Sequence, residues 1–464
     1  MSILTNKKKE KRQLTVFNLT WPIFIETLLF MLLGSVDTLM LSRYSDNSVA
    51  AVGVSNQLIA MMNIMFGILS TGTSVLIAQN LGAGNKKMAS KVATVSLIIN
   101  LLFGLLLSGI MYFAAHGILG AMGIRPELMK FAVQYLQIVG GFLFMQAVMM
   151  TCTAIVRSHG LTKISMYVTI GMNVLHVVLD YVFIFGAFGV PVLGVSGVAI
   201  STNISKLLGL IVMIFVVFRN VERGFRLKNL KPFPTKIVKD LLKIGVPTAG
   251  EQLSYNVSQL VITYFINFLG NEALTTKAYV QNIVMFAYLF SIAIGQGTEI
   301  LIGHLVGAEE NDKAYKTCIH SLKLALKISF GIGIIFAILR NQALGIFTSN
   351  PNILAVGGVI LIIDAFLEPG RSFNLVVINS LRASGDVKFP VYMGIFSMWG
   401  VSVTLSYLLG IKLGLGLAGM WIAFACDEWF RGVLMLWRWR TRKWEKMAFV
   451  KKGMVKQAEL SGAN

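Results

Sequence analysis

The sequence predicts an all-α membrane protein with twelve transmembrane helices in two parallel six-helix repeats, and three observations carry that expectation. Of its 464 residues 55% are hydrophobic and only 13% charged, where soluble domains carry about 25% charged residues. Twelve apolar runs are long enough to cross a hydrocarbon core of about 30 Å; they lie near 17–41, 49–78, 92–115, 128–156, 164–187, 194–218, 242–269, 274–303, 317–339, 352–381, 389–411 and 414–437. The last six of these repeat the first six. Pro22 and Glu26 return 225 positions later as Pro247 and Glu251, and Gly72, Thr73, Leu76, Ile77, Gly82, Ala83 and Ala89 return as Gly297, Thr298, Leu301, Ile302, Gly307, Ala308 and Ala314. The register then holds for Arg157, Gly160 and Lys163 against Arg382, Gly385 and Lys388. It slips by three residues before Gly194 and Gly197 meet Gly416 and Gly419.

The runs take their orientation from the basic residues. A net charge of +20 would suit nucleic acid only if it formed one patch, and here Lys and Arg stand in short clusters between apolar runs; no nucleic-acid partner is expected. Lys7, Lys8, Lys9, Lys11 and Arg12 precede the first run. Further clusters follow every second run: Lys86, Lys87 and Lys91, then Arg157 and Lys163, then 219–243, then Lys313 and Lys316, then Arg382 and Lys388, then 438–456. The positive-inside rule places those clusters and both termini in the cytoplasm, with the cell membrane as the expected location. The first run is longer than a signal-peptide core and lacks a small-residue cleavage pattern, so it reads as a retained span. Cys152, Cys318 and Cys426 are odd in number and lie in or beside apolar runs, which argues against a disulfide framework.

The expected organisation is a basic N-terminus at 1–16, an N-lobe at 17–218, a linker at 219–241, a C-lobe at 242–437 and a basic tail at 438–464. Six is an even number of crossings, so both halves begin on one side of the membrane. That arrangement gives parallel repeats about an axis along the membrane normal, as in carriers that bind between two lobes.

A carboxylate at membrane depth is costly and marks function unless a partner explains it. Asp37 is one such group, and its counterpart in the second repeat is Ile262. Asp180 is another; Asn173, His176 and Asp180 share one face of the fifth helix at spacings of three and four. Two desolvated carboxylates side by side bind a proton or a small cation. His176 also fits a simpler role as a neutral hydrogen-bonding group. Glu251, Gln252, Tyr255, Asn256 and Gln259 run down the seventh helix as a polar stripe, joined by Gln281 and Asn282 from the eighth, and such a stripe must face protein or water. Glu26 and Glu251 lie near the expected cytoplasmic ends, where a gate competes with plain contact to interfacial water. Asp364, Glu368 and Arg371 have helical spacing, with Glu368 and Arg371 suited to an i, i+3 ion pair. Arg157 and Arg382, each just before a glycine, read as holding helix ends or lipid phosphates. The sequence holds no HExxH, GxSxG, CxxC or Gly-Lys-Ser phosphate loop, so neither an enzyme nor a cofactor is expected, and no metal-ligand set is singled out.

Several segments resemble the multidrug and toxic compound extrusion (MATE) family: Trp21-Pro22 with Val36-Asp37-Thr38; Ala50-Ala51-Val52-Gly53; Gln79-Asn80-Leu81-Gly82-Ala83-Gly84; Val178 to Asp180 with Phe183-Ile184-Phe185-Gly186; Gly194 to Thr202; and Leu381-Arg382-Ala383-Ser384-Gly385-Asp386. The resemblance implies a two-lobed monomeric carrier in the lipid bilayer. Such a carrier exports amphipathic, mostly cationic drugs or toxins by alternating access, in exchange for entering protons or sodium ions. It makes Asp37 and Asp180 a cation-coupling pair with Thr202 as a third member. The family usually has Asn where this chain has His176, and an imidazole takes a proton where sodium prefers hard oxygen; proton coupling is therefore expected. A second family site pairs the glutamate matching Glu251 with an aspartate where this chain has Arg371, so Glu251 is expected to serve substrate or gating. The rival readings are a flippase for a lipid-linked molecule, expected to have a more cationic cavity, and a membrane-embedded lipid enzyme.

Overall fold

A computed structural model describes residues 14–221 and 232–450. The expected basic cluster at Lys7 to Arg12, residues 222–231 of the expected linker at 219–241 and residues 451–464 of the expected tail lie outside the described residues. Twelve long helices follow in order. The first half is α1 (Val16–Ser42), α2 (Asp46–Gly82), α3 (Lys86–Phe113), α4 (Pro126–Gly140 bent by 46° into Leu143–Ser158), α5 (Thr162–Phe185) and α6 (Val195–Arg219). The second is α7 (Thr235–Asn267), α8 (Asn271–Gly307), α9 (Asn311–Ile338), α10 (Pro351–Ser384), α11 (Lys388–Lys412) and α12 (Gly416–Arg440).

Ten of these, with the bent α4 as one span, are long and apolar enough to cross a membrane. The other two, α7 and α12, have the length, at 33 and 25 residues, and are interrupted by polar groups: the stripe from Glu251 to Gln259 in α7, and Asp427, Glu428 and Arg431 in α12. Their polar faces have to be turned towards protein or water. The seventh helix also begins earlier than its apolar run suggests. It starts at Thr235, directly after Pro234, which cannot continue a helix from its own N-terminal side, so 235–241 form its first turns. The bend in α4 falls at Gly140 and Gly141, where the absence of side chains lets Met111 and Tyr112 of α3 close against the backbone.

Pro22 lies inside α1. Its ring nitrogen carries no hydrogen, so the carbonyl four residues earlier is released from the helix ladder. Thr162 Oγ1 donates to that Asn18 carbonyl at 3.3 Å, which fastens the start of α5 to α1.

The halves join along α1 against α8 and along α2 against α7 and α8. One apolar core runs from Leu76, Val92 and Ile155 into Leu241, Ile244 and Val391 of the other half, and a smaller one sets Leu19 and Ile23 against Ala293 and Ile300. The junction has two-fold character. A Cβ on Gly82 would strike the backbone carbonyl of His304, and one on Gly307 would strike that of Gln79. Gln79 Nε2 donates to the Ala383 carbonyl at 2.7 Å, and His304 Nε2 meets the Ser158 carbonyl, also at 2.7 Å. Each partner in one contact lies 225 positions from its equivalent in the other. The N–H groups of Phe449 and Val450 also donate to Gln79 Oε1, at 2.9 and 3.2 Å.

Candidate functional site

Helical spacing in α5 sets His176 and Asp180 one turn apart on a face that packs against α1, which supplies Asp37. His176 Nε2 lies 3.2 Å from Asp37 Oδ1 and 3.1 Å from Asp180 Oδ2. The His176 and Asp180 side chains are 4% and 0% exposed, while Asp37 keeps 23%, so the group is reached through Asp37. The three ligand atoms lie within 4.8 Å of one another, close enough to share one proton or one small cation. With a neutral imidazole the trio carries two negative charges in an apolar setting, and any cation that enters relieves their repulsion.

Asn173 and Thr202 stand beside this trio in supporting positions. Asn173 Nδ2 donates to the Leu29 carbonyl of α1 at 2.9 Å, which sets the distance between the helices that carry the carboxylates. Thr202 is buried, and its Oγ1 donates within α6 to Val198 O at 2.8 Å. Several neighbours lay outside the sequence expectation, among them Ser201 beside Asp180. Tyr135 of α4 donates to Asn56 Oδ1 at 3.3 Å and lies within electrostatic reach of Asp37 and Asp180, next to Thr202; Lys206 of α6 lies within reach of Asp37. A lone lysine inside the sixth apolar run was the available signal for Lys206. Tyr135 resembles any interfacial tyrosine in the sequence and gave none.

Among the described residues the second half has no equivalent trio. Ile262, in the place of Asp37, is fully buried in apolar core. Instead a cavity of about 410 Å³ is lined by Glu251, Gln252, Tyr255 and Gln259 of α7 and Gln281 of α8. Asn256 and Asn282, expected on the same face, are exposed and do not line it: at one residue past Tyr255 and Gln281 they are turned by about 100° around their helices. The expected pair of Glu368 and Arg371 is present and extends into a network. Arg371 also approaches Glu428 at 3.7 Å, and Arg431 contacts Asp427 at 2.7 Å and Glu428 at 3.0 Å. Asp364 accepts from Trp421 Nε1 at 3.2 Å. The charged triplet of α12 went unread in the sequence, as did Lys206. Three guanidinium groups line the cavity, those of Arg371, Arg382 and Arg431, yet each is paired with a carboxylate. The cavity is therefore not cationic overall.

Arg157 and Arg382 do not reach for lipid phosphates, and Glu26 does not face interfacial water. Glu26 is buried and contacts Arg157 at 2.8 Å, with Ser165 Oγ donating to both of its oxygens. Glu251 is likewise buried and contacts Arg382 at 2.5 Å. The two ion pairs are related by the 225-residue repeat. A guanidinium held this far from water finds its counter-charge inside the protein.

Two repeated helical halves, a buried acidic trio in one and a polar cavity in the other define a membrane transporter. The family model MatE matches residues 22–182 and again 247–408, once in each half, and the chain belongs to the MatE family of multidrug transporters. It is 51% identical over 97% of its length to "Uncharacterized transporter YisQ" of Bacillus subtilis (strain 168), of which 98% is covered. It is 27% identical to "Probable multidrug resistance protein NorM" of Thermotoga maritima, with 95% of each chain covered. The same fold is seen in a MOP superfamily transporter from Pyrococcus furiosus, at a TM-score of 0.84 and 22% identity, over 92% of this chain and 95% of that one. It is seen again in an outward-facing multidrug resistance MATE family transporter, at a TM-score of 0.83 and 21% identity, with the same coverage.

Proposed function

We propose that this chain is a proton-coupled exporter of amphipathic compounds in the cell membrane, with both termini in the cytoplasm. The observation that carries the reading is His176 held between Asp37 and Asp180. An imidazole in that position makes the trio a better site for a proton than for sodium, which favours hard oxygen donors. The halves are packed together at the end that carries Gly82, Gly307 and the basic clusters. With those clusters in the cytoplasm, the cytoplasmic side is closed and the cavities are reached from outside. A proton arriving at Asp37 from that side removes one of the trio's two negative charges and with it their mutual repulsion, α1 shifts against α5, and substrate is released outward. Reset of the halves delivers the proton inward. By linkage, substrate must weaken proton binding by the same factor as the proton weakens substrate binding. Glu26 with Arg157 ties α1 to α4 and Glu251 with Arg382 ties α7 to α10, each inside its own half, and these pairs act as gates that break and re-form when α1 or α7 shifts within its half.

The test is ethidium uptake into everted vesicles, where outward export from the cytoplasm becomes movement into the lumen, with pH and sodium gradients imposed separately, for the parent, Asp37→Asn and Glu251→Gln. The reading expects uptake driven by the pH gradient and abolished in Asp37→Asn, with that variant still folded in the membrane. Sodium-driven uptake, or full uptake by Asp37→Asn, overturns it. Absence of any gradient-driven uptake in the parent brings forward a flippase.

A further inference from the structure

A second cavity, of about 420 Å³, lies where α4 and α5 of the first half face α8 of the second. Its wall has two parts. Met149, Met150, Met172 and Met213, with Phe30, form an apolar side, and thioethers on unbranched chains adapt to bodies of different shape. The polar side includes Glu26, Arg157, Gln296 and Glu299, and its charges do not cancel. Glu26 is matched by Arg157, which also donates to Gln296 Oε1 at 2.9 Å. Glu299 makes no contact ion pair among the described residues: its Oε1 is buried and receives no hydrogen bond, and Arg382, within electrostatic reach of it, is already held by Glu251. Asn63 Oδ1, on the same cavity, is buried and unpartnered as well. Unpaired buried acceptors are costly, and two of them in a cavity also lined by four methionines complement a ligand that carries both a charged donor and an apolar body.

We propose that Glu299 is the substrate's counter-ion: it accepts the N–H of a bulky protonated amine whose apolar body lies against the methionines. The assignment rests on the export reading above and adds to it a specificity-determining residue and a class of ammonium group. The carboxylate comes from one half and the apolar wall from the other, so the site is complete only while α8 lies against the first half. Movement of the halves therefore alters affinity directly, without any change in the side chains themselves.

The experiment is calorimetric titration of the purified full-length protein in detergent with verapamil, a tertiary amine, and with its N-methyl quaternary derivative, which has the charge but no N–H. The parent is expected to bind the amine at least tenfold more tightly than the quaternary form. Glu299→Gln should weaken amine binding at least tenfold and erase the preference, while Glu299→Asp keeps part of it. Amine binding by Glu299→Gln within twofold of the parent overturns the assignment, as does equal binding of both ligands by the parent. The second comparison needs no variant and stands even if Glu299→Gln fails to fold. Gradient-driven efflux in the parent with unchanged amine binding in Glu299→Gln refutes this assignment alone. Absent efflux refutes the export reading, whatever the binding shows.

Discussion

His176 is the residue whose chemistry differs most from the resemblance that drew attention to it. It lies 3.1 and 3.2 Å from two carboxylates, and an imidazole is able to take a proton where an amide is not. His176→Asn should lower proton-driven efflux about tenfold or more while leaving the chain folded; unchanged proton-driven efflux in that variant argues against a role for the imidazole. The buried ion pairs make a different prediction. Arg157→Ala leaves Glu26 charged, buried and without its partner, which costs about 3–5 kcal/mol. Thermal unfolding in detergent should show that loss, and a smaller one for Glu26→Gln with Arg157→Gln. Asp37, His176 and Asp180 were legible because each breaks an apolar run, and because His176 and Asp180 sit one helical turn apart. The partners of Arg157 and Arg382 were not, since Glu251 and Arg382 are 131 residues apart and no local pattern joins them.

At the scale of the helices, almost every span was legible, because an apolar run bounded by charges marks its own ends. The exceptions follow from the same rule. The α7 run was read as starting at 242, since the apolar signal begins only after Lys236, Lys239 and Asp240, although the helix starts at Thr235. In α12 the charged triplet was hidden by the aromatic and aliphatic residues around it. The glycines of α2 and α8 showed as repeats, but their meaning is steric and appears only where two backbones meet. Gly307→Leu should therefore hold the halves apart at that end. A cysteine replacing the buried Ala83 should be slow to react with a membrane-impermeant maleimide in the parent background and fast in Gly307→Leu; equal rates would show that this contact does not limit closure.

Across the whole molecule, the segment after α12 reaches back to the opposite half. Phe449 and Val450 donate to Gln79 Oε1 while Gln79 Nε2 holds Ala383, so one amide ties three pieces of chain. Each such bond contributes about 0.5–1.5 kcal/mol. Removing residues 449–464 should raise labelling of the Ala83→Cys probe severalfold, and Gln79→Ala should raise it further. Labelling unchanged by either would mean that the apolar core between the halves is sufficient to keep that end shut.

The reciprocity of Gly82 with His304 and Gly307 with Gln79 is the rule obeyed by isologous dimers, in which residue i of one subunit meets j of the other and j meets i. Inside a single polypeptide the same geometry relates two repeats whose sequences are free to differ. In a dimer of identical subunits any substitution is made twice, so an acid at position 37 could be neither lost nor kept in one copy alone. Within one chain that constraint is absent: the matched positions hold Asp37 and Ile262, and a two-fold scaffold carries unlike chemistry at equivalent places.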